Sequence, residues 1–410
     1  MLHFDVIIIG GGPAGLFAGS QITNKKVALF EKGPKCGRKL LMTGAGKCNV
    51  TQAGDIHNFL NRYGTQERFV RHPLLTFTNQ DLLSFFGAYG LKFTTMENGK
   101  IFPKTMQAQS ILDVLVNTCR ENRTQIHTET AVTDITKTET GFVVATTQGE
   151  YTATRVIIAT GGLSYPHTGA TGDGQGFAKA LGHKIIPMKP ALAPVKVKNY
   201  NLSDLSGQAF DDLSYTQWRN GKKVGEFSNR RILLTHSGLS GPGIFIPSRY
   251  LVSQDLLRLN WLGGNAEAWR TKLVHEFTNS GVKLVKTIVR DLLPTKSLAD
   301  KLLELADIAD DLKCAELKKS QRTHIIELLI EFPFEIKTVG GFNAAQVTAG
   351  GVSLKEINPK TMESRKVSGL HFIGEVADVD GDTGGYNIQL AMAMAHSCAR
   401  FINAATGDQS

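Results

Sequence analysis

Apolar residues along this chain follow two periods, and the switches between them mark out its elements. Asp5-Val6-Ile7-Ile8-Ile9, Lys26-Val27-Ala28-Leu29-Phe30 and Arg155-Val156-Ile157-Ile158-Ala159 are nearly unbroken apolar runs. Such runs suit parallel strands covered on both faces. Leu82, Leu83 and Phe86 within 79–87, and Ile111, Leu112, Leu115 and Val116 within 108–120, recur at helical spacing. They predict two amphipathic helices. Between them, Leu91-Lys92-Phe93-Thr94 and Lys100-Ile101-Phe102 predict a short hairpin turning at Asn98-Gly99. Residues 131–135 and 141–146 suit a half-exposed antiparallel sheet.

At Pro187, Pro190 and Pro194 the texture changes, and up to Pro247 the runs are short and β-like, with turn signals at Asn220-Gly221 and Ser237-Gly238. Residues 266–331 return to helical spacing (Leu273, Val274, Phe277; Leu302, Leu303, Leu305; Ile325, Leu328, Leu329), punctuated by Pro294 and Pro333. After Gly340-Gly341 strands resume. The chain closes on Leu370-His371-Phe372-Ile373-Gly374 and a helix over about 385–405. The expected class is α/β, with the two chain ends forming one domain around an insert of roughly residues 190–340.

The first apolar run breaks into Gly10-Gly11-Gly12-Pro13-Ala14-Gly15, a G-x-G-x-x-G between a strand and a helix. Gly10 permits the tight turn, Gly12 lets a pyrophosphate approach, and Gly15 lets helix and strand pack closely. Glu31 ends the next strand about twenty residues on, where a ribose hydroxyl acceptor is expected, with Lys32 beside it. The motif therefore predicts a dinucleotide site, with its phosphates at a helix N-terminus.

Composition narrows the class. The 410 residues, 41% hydrophobic and 20% charged, describe a globular chain with room for two or three domains. The first strand begins so near residue 1 that no cleavable leader is expected. No apolar stretch approaches the ~18–20 residues of a bilayer span. Five scattered cysteines form no C-x-x-C pair, and the histidines show no i, i+3 or i, i+4 spacing. No disulfide framework and no metal site are expected, and a reducing cytoplasm is the expected location. The net charge of +9 permits an anionic partner, although no basic run is long enough to name nucleic acid by itself.

Further glycine-rich segments follow apolar strands. Arg38, Lys39, Thr43, Gly44, Gly46, Cys48 and Asn49 lie in 37–51, where small residues allow close backbone approach and the polar ones offer donors. Ala159-Thr160-Gly161-Gly162 leads towards Thr171-Gly172-Asp173. Gly374-Glu375-Val376-Ala377-Asp378 leads to Gly384-Gly385-Tyr386-Asn387-Ile388. There a carboxylate can accept from a ribityl hydroxyl, and a helix N-terminus can face the flavin edge that becomes anionic on reduction. A ligand reaching four strand ends is FAD rather than NAD. With Val132, at the start of an alternating strand, these complete the candidate FAD contacts.

The segments 37–51, 235–242 (Thr-His-Ser-Gly-Leu-Ser-Gly-Pro), 347–352 (Val-Thr-Ala-Gly-Gly-Val) and 374–389 together resemble the YhiN/BaiN-like flavoproteins, related to the glutathione-reductase and fumarate-reductase flavin folds. Lys47 stands where an arginine is common. The resemblance implies a split Rossmann-like FAD-binding domain (1–190 and 340–410), a β-barrel-like insert (191–262 with about 335–350) and a helical insert (263–334). It implies non-covalent FAD and two directions of function, beside which a third, from another class, is weighed. The leading one is reduction of an activated C=C bond with NAD(P)H as transient donor, including uridine of ribosomal RNA. The second is oxidation of a small amine such as aminoacetone. The third is a non-catalytic flavin-containing RNA-binding protein. Oligomeric state is not specified. For the proton step His236, His167 and Tyr165 are candidates, since imidazole titrates near neutrality. The same residues also suit ordering of glycine-rich turns. A redox dithiol is not expected, because no cysteine pair has the spacing.

Overall fold

Strand Leu2–Ile9 sits inside a seven-stranded sheet, pairing in parallel with Val27–Phe30 on one side and Gly149–Ile158 on the other. The computed structural model describes residues 1–405; residues 406–410, assigned by sequence to the dinucleotide domain, lie outside the described residues. Gln125–His127 extends one edge in parallel. Gly149–Ile158 is long enough to serve two further partners besides Leu2–Ile9. Its first half pairs antiparallel with Phe142–Thr146, which pairs with Val132–Lys137, and its last three residues pair in parallel with Leu370–Phe372. The continuous apolar runs are thus the buried parallel strands, and the alternating runs form the antiparallel extension, as burial on two faces or one requires.

Two units arise from one chain: Met1–Ala191 with the chain from Phe342 onward, and Leu192–Gly341. In the first unit, helices Pro13–Gln21, Ala108–Glu121 and Tyr386–Ala404 pack in one core with the sheet, through Phe17, Leu115 and Met394 among others. The expected hairpin forms between Phe93–Thr95 and Lys100–Pro103, with Gly99 at φ +77°. The helix expected over 79–87 is Asn79–Ala88, closed by a capping box from Thr78 and Asp81.

The second unit is built on a closed barrel whose neighbours in order are Val195–Val197, Gly238–Ser240, Lys222–Leu234, Ala209–Arg219, Leu256–Asn260 and Phe332–Val339. Helices Ala266–Asn279, Val285–Leu292, Lys296–Leu305 and Lys319–Ile330 belong to the same unit. Leu257, Leu259 and Phe334 of the barrel share one core with Phe277, Leu302 and Ile325 of the helices. The β-rich and helical stretches, separate inserts in the sequence reading, here bury their apolar faces in common. Strand Val347–Val352, placed by sequence within the β insert up to residue 350, pairs antiparallel with Ile185–Ala191 of the first unit, and all six of its residues are buried.

Candidate functional site

A cleft in the first unit runs along the strand ends, with about 1410 Å³ of empty space counting its open mouth. Its lining reaches from the first glycine loop to the final helix. The glycine loop forms part of its wall. Gly10, at φ +108°, has no space for a side chain, since a Cβ would lie 2.6 Å from the Ala159 carbonyl oxygen. A Cβ on Gly15 would lie 2.0 Å from the Gly10 carbonyl oxygen, so only glycine lets the first helix lie so close to the strand. Gly12 differs: nothing lies within 4 Å of its Cβ position, and it faces open space. It is the N-cap of helix Pro13–Gln21, makes no side-chain cap, and the first turn carries no acidic residue. The helix therefore offers uncapped N–H groups and its positive dipole end to an anion.

Glu31 braces this loop. Its Oε2 accepts from Gly11 N–H at 2.8 Å and its Oε1 from Gly33 N–H at 2.7 Å, while the residue also lines the cleft. The neighbouring cations are tied down. Lys32 Nζ donates to Asp173 Oδ2 at 2.5 Å and to Thr171 Oγ1, and Arg38 Nη2 donates to the His167 carbonyl oxygen at 2.6 Å. These ties fasten segment 167–173 to residues 32 and 38, and Thr168, Gly169, Ala170 and Thr171 between them line the cleft. Lys39 Nζ meets Glu375 Oε2 at 2.8 Å, and Glu375 Oε1 accepts from Thr348 N–H at 2.8 Å. Thr348 Oγ1 in turn accepts from Leu163 N–H at 2.8 Å. A chain of bonds, the two to Glu375 charge-assisted, thus joins segments far apart in sequence.

The other end of the cleft is framed by the final helix, whose Asn387, Ile388, Leu390 and Ala391 line it. Gly385 caps this helix at φ +91°, and a Cβ there would lie 2.7 Å from Thr51 Cα. Asn387 clamps the preceding loop: its Oδ1 accepts from Gly381 N–H at 2.8 Å and its Nδ2 donates to the Gly381 carbonyl oxygen at 2.9 Å.

Of the residues nominated from sequence, Gly10, Gly12, Pro13, Ala14, Glu31, Lys32, Arg38, Lys39, Thr43, Val132, Ala159, Thr160, Gly161, Asp173, Gly374, Glu375, Asn387 and Ile388 come together in the cleft wall. Gly15, Gly44, Gly46, Cys48, Asn49, Asp378, Gly384, Gly385 and Tyr386 do not line it. Tyr165 is half-buried and His167 exposed, on the segment leading to wall residue Thr168, with their rings edge-on at 5.9 Å. His236 is exposed in the second unit, between strands Lys222–Leu234 and Gly238–Ser240. Sequence reading did not nominate Thr168, Gly169 and Ala170, which roof the cleft wall, nor Gln346 and Leu390-Ala391, and it named Thr171 and Val347 only within longer motifs. The only local signal was the glycine-threonine texture before Asp173.

The donor set fits FAD. Thr160 Oγ1, in the cleft wall, is buried without a partner, and Gly161, at φ +76°, faces open space as Gly12 does. Residues from the starts of two helices line one cleft, a carboxylate sits at the expected distance from the glycine loop, and an unpaired hydroxyl lies in the same wall. The cysteines do not form a redox centre: all five are free and buried, and burial pushes the thiol of Cys48 up to about 11 and those of Cys36 and Cys119 to about 12. Among the described residues no group of His, Cys, Asp or Glu is arranged to hold a metal, and no helix is long and apolar enough to cross a membrane.

Comparison with known proteins yields a family model, the HI0933-like protein Rossmann domain, that matches residues 4–401. The chain is 32% identical over 412 residues to a ribosomal RNA dihydrouridine synthase of Escherichia coli, covering 99% of both chains. It is 31% identical over 418 residues to a 3-dehydro-bile acid delta(4,6)-reductase of Clostridium scindens, covering 96% of this chain and 97% of that one. Among solved structures, the 3-ketosteroid delta1-dehydrogenase of Sterolibacterium denitrificans superposes with a TM-score of 0.53 at 12% identity, covering 99% of this chain and 100% of that one. That last likeness is one of fold.

Proposed function

The chain belongs to the HI0933-like family of flavin-dependent oxidoreductases, and from that premise we propose that it reduces an activated C=C bond with electrons from NAD(P)H, the acceptor being the uracil ring of a uridine in ribosomal RNA. The observation that carries the reading is the cleft itself: one FAD-shaped cradle, with every cysteine buried and none paired, so no dithiol relay intervenes between donor and acceptor. Bound FAD supplies the hydride-transfer centre. The reaction balances as uridine plus NAD(P)H plus a proton giving dihydrouridine plus NAD(P)+, with hydride and proton added to the two carbons of the ring double bond.

The chain's own residues do the positioning. Gly12 and the start of the first helix would hold the pyrophosphate, Glu31, which already accepts from Gly11 and Gly33 N–H, would also accept from the ribose, and Glu375, fixed by Lys39 and Thr348, would accept from a cofactor hydroxyl. The start of the final helix, beside the loop that Asn387 clamps, would stabilise negative charge on the ring system through its positive dipole end. The proton step is assigned to Tyr165 or His167, on the segment leading to the wall residue Thr168. Tyr165→Phe and His167→Gln single out the donor as the variant that retains flavin reduction by NAD(P)H but loses turnover. A small-molecule enone shares this chemistry, and the relative acting on 3-dehydro-bile acids gives it a place as a control acceptor.

The test is anaerobic addition of NADH or NADPH to the FAD-loaded protein, then addition of rRNA from a strain lacking the gene. Bleaching of the flavin by the nicotinamide, reoxidation by the RNA and a mass gain of about two hydrogens on one uridine are expected. Bleaching by a small amine without nicotinamide would replace this reading with an amine oxidase. Absence of any bleaching would leave the flavin without a catalytic role.

A further inference from the structure

Charge is unevenly shared within the second unit. Its barrel segments, 192–262 and 332–341, hold ten Lys and Arg against six Asp and Glu, an excess of four. The helical segment 263–331 holds eleven against eleven. The excess gathers beside the hairpin formed by Ala209–Arg219 and Lys222–Leu234, where Arg219 pairs with Lys222 across a tight Asn220-Gly221 turn, both turn residues having positive φ. Lys222 and Lys223 stand exposed at the tip.

The same end of the barrel carries flat faces. Tyr215 and Gln217 point into the barrel, so Trp218 points out, and Arg258 of the adjacent strand places its guanidinium 4.7 Å from the Trp218 ring centroid. Arg219 is anchored: it donates to both oxygens of buried Asp255, at 2.7 and 2.9 Å, and to the Tyr250 carbonyl oxygen at 2.8 Å. The tip is thereby tied to the segment where Tyr250 and Val252 are 56% and 46% exposed, with Val224 of the hairpin 52% exposed. Nearby acids are already engaged, Asp255 by Arg219, Glu226 by Lys223 and Glu335 by Lys198. Lys222 and Arg258 have no carboxylate partner among the described residues.

An exposed tyrosine, an Arg-on-Trp stack and two cations without a carboxylate partner, Lys222 at the hairpin tip and Arg258 on the adjacent strand, suit single-stranded RNA, whose bases stack on flat side chains while its phosphates take the cations. A protein partner would meet the apolar residues but leave the cations without a purpose. We propose that this hairpin tip, with Trp218, Arg258 and Tyr250, is the docking surface for the RNA strand that carries the target uridine. The inference rests on the reading of RNA as substrate and adds where the strand is held.

The test uses the full-length, FAD-loaded protein and a fluorescent, protein-free rRNA transcript, read by anisotropy from 50 to 200 mM salt. Lys222→Glu with Lys223→Glu should weaken binding by at least ten-fold and flatten the salt dependence, since fewer counterions are released. Tyr250→Ala should weaken it about ten-fold with the salt slope unchanged. FAD content, melting temperature and flavin reduction by NAD(P)H should stay at wild-type values in each. Lys318→Glu with Lys319→Glu, an equal charge change on the helical segment, is the control and should cost little. If wild type binds and the hairpin variants lose no more than this control, the docking surface is wrong and RNA remains the substrate. If wild type binds no rRNA at low salt, the substrate reading falls and the surface falls with it. If the variants fail on ribosomal particles yet bind the bare transcript normally, a protein occupies the surface and the proposal is overturned.

Discussion

Two helices begin at the cleft, each after a glycine, and the two glycines are there for opposite reasons. Gly12 sits in ordinary extended backbone with nothing near its Cβ position, so its bareness makes room for something the chain does not contain. Gly385 sits at φ +91° with Thr51 backbone 2.7 Å from its Cβ position, so its bareness makes room for the protein itself. One end of the site is shaped by the ligand's needs and the other by the scaffold's. The same Gly→Ala change should therefore strike binding at one end and folding at the other.

The largest effect should come from Gly385→Ala. The added carbon has no escape from backbone atoms, and the left-handed conformation is strained for alanine. A loss of about 2–4 kcal/mol is expected in urea unfolding, equal with and without FAD. A loss confined to the FAD-loaded form would erase the contrast. Acid should weaken the scaffold next. His371 is fully buried in strand Leu370–Phe372, and burial pulls its imidazole down to about 3 from an ordinary 6.5. Because the folded value is the lower one, its full contribution is present above pH 6.5 and drains as the pH falls towards 3. This amounts to about 3 kcal/mol by pH 4. The difference in pH slope between wild type and His371→Leu measures it, and equal slopes would remove His371 from the account.

Gly12→Ala should behave in the opposite way. The FAD-free protein should keep its stability within about 0.5 kcal/mol, because reduced freedom of the unfolded chain offsets poorer capping by alanine. FAD affinity should drop about ten-fold, or ~1.4 kcal/mol, by fluorescence titration. The smallest effect is expected for Lys39→Met, which breaks the partly exposed pair with Glu375 at about 1 kcal/mol of stability. A larger penalty in FAD affinity than in stability would move Lys39 from the scaffold's side of the comparison to the ligand's.

What could be read from sequence follows the same division. Gly10, Gly15 and the strand Leu2–Ile9 lie within one β-α-β stretch, where spacing alone fixes geometry, and they take the strand, turn and close-packing places that the spacing predicts. The roof over 168–171 was not legible. It depends on Lys32 and Arg38 reaching residues about 130–140 positions away, and no local pattern encodes that pairing. Nor did periodicity reveal that Phe277 and Ile325 share a core with Leu257 and Phe334, since an apolar stripe states that it will be covered and not by what. Strand Val347–Val352 looked like a continuation of the insert for a similar reason: a fully apolar, glycine-bearing run fits either sheet, and only Ile185–Ala191 decides the matter.

The buried cysteines carry a consequence for how the protein survives its own chemistry. Reduced flavins meeting oxygen generate peroxide, and the species peroxide attacks is the exposed thiolate. A thiol held near 12, as in Cys36 and Cys119, is ionised in only about one molecule in 10⁵ at pH 7, and here it is also shut away from solvent. The chain thus keeps its cysteines within the core as inert filling. It should resist thiol-alkylating reagents without a protective reductant.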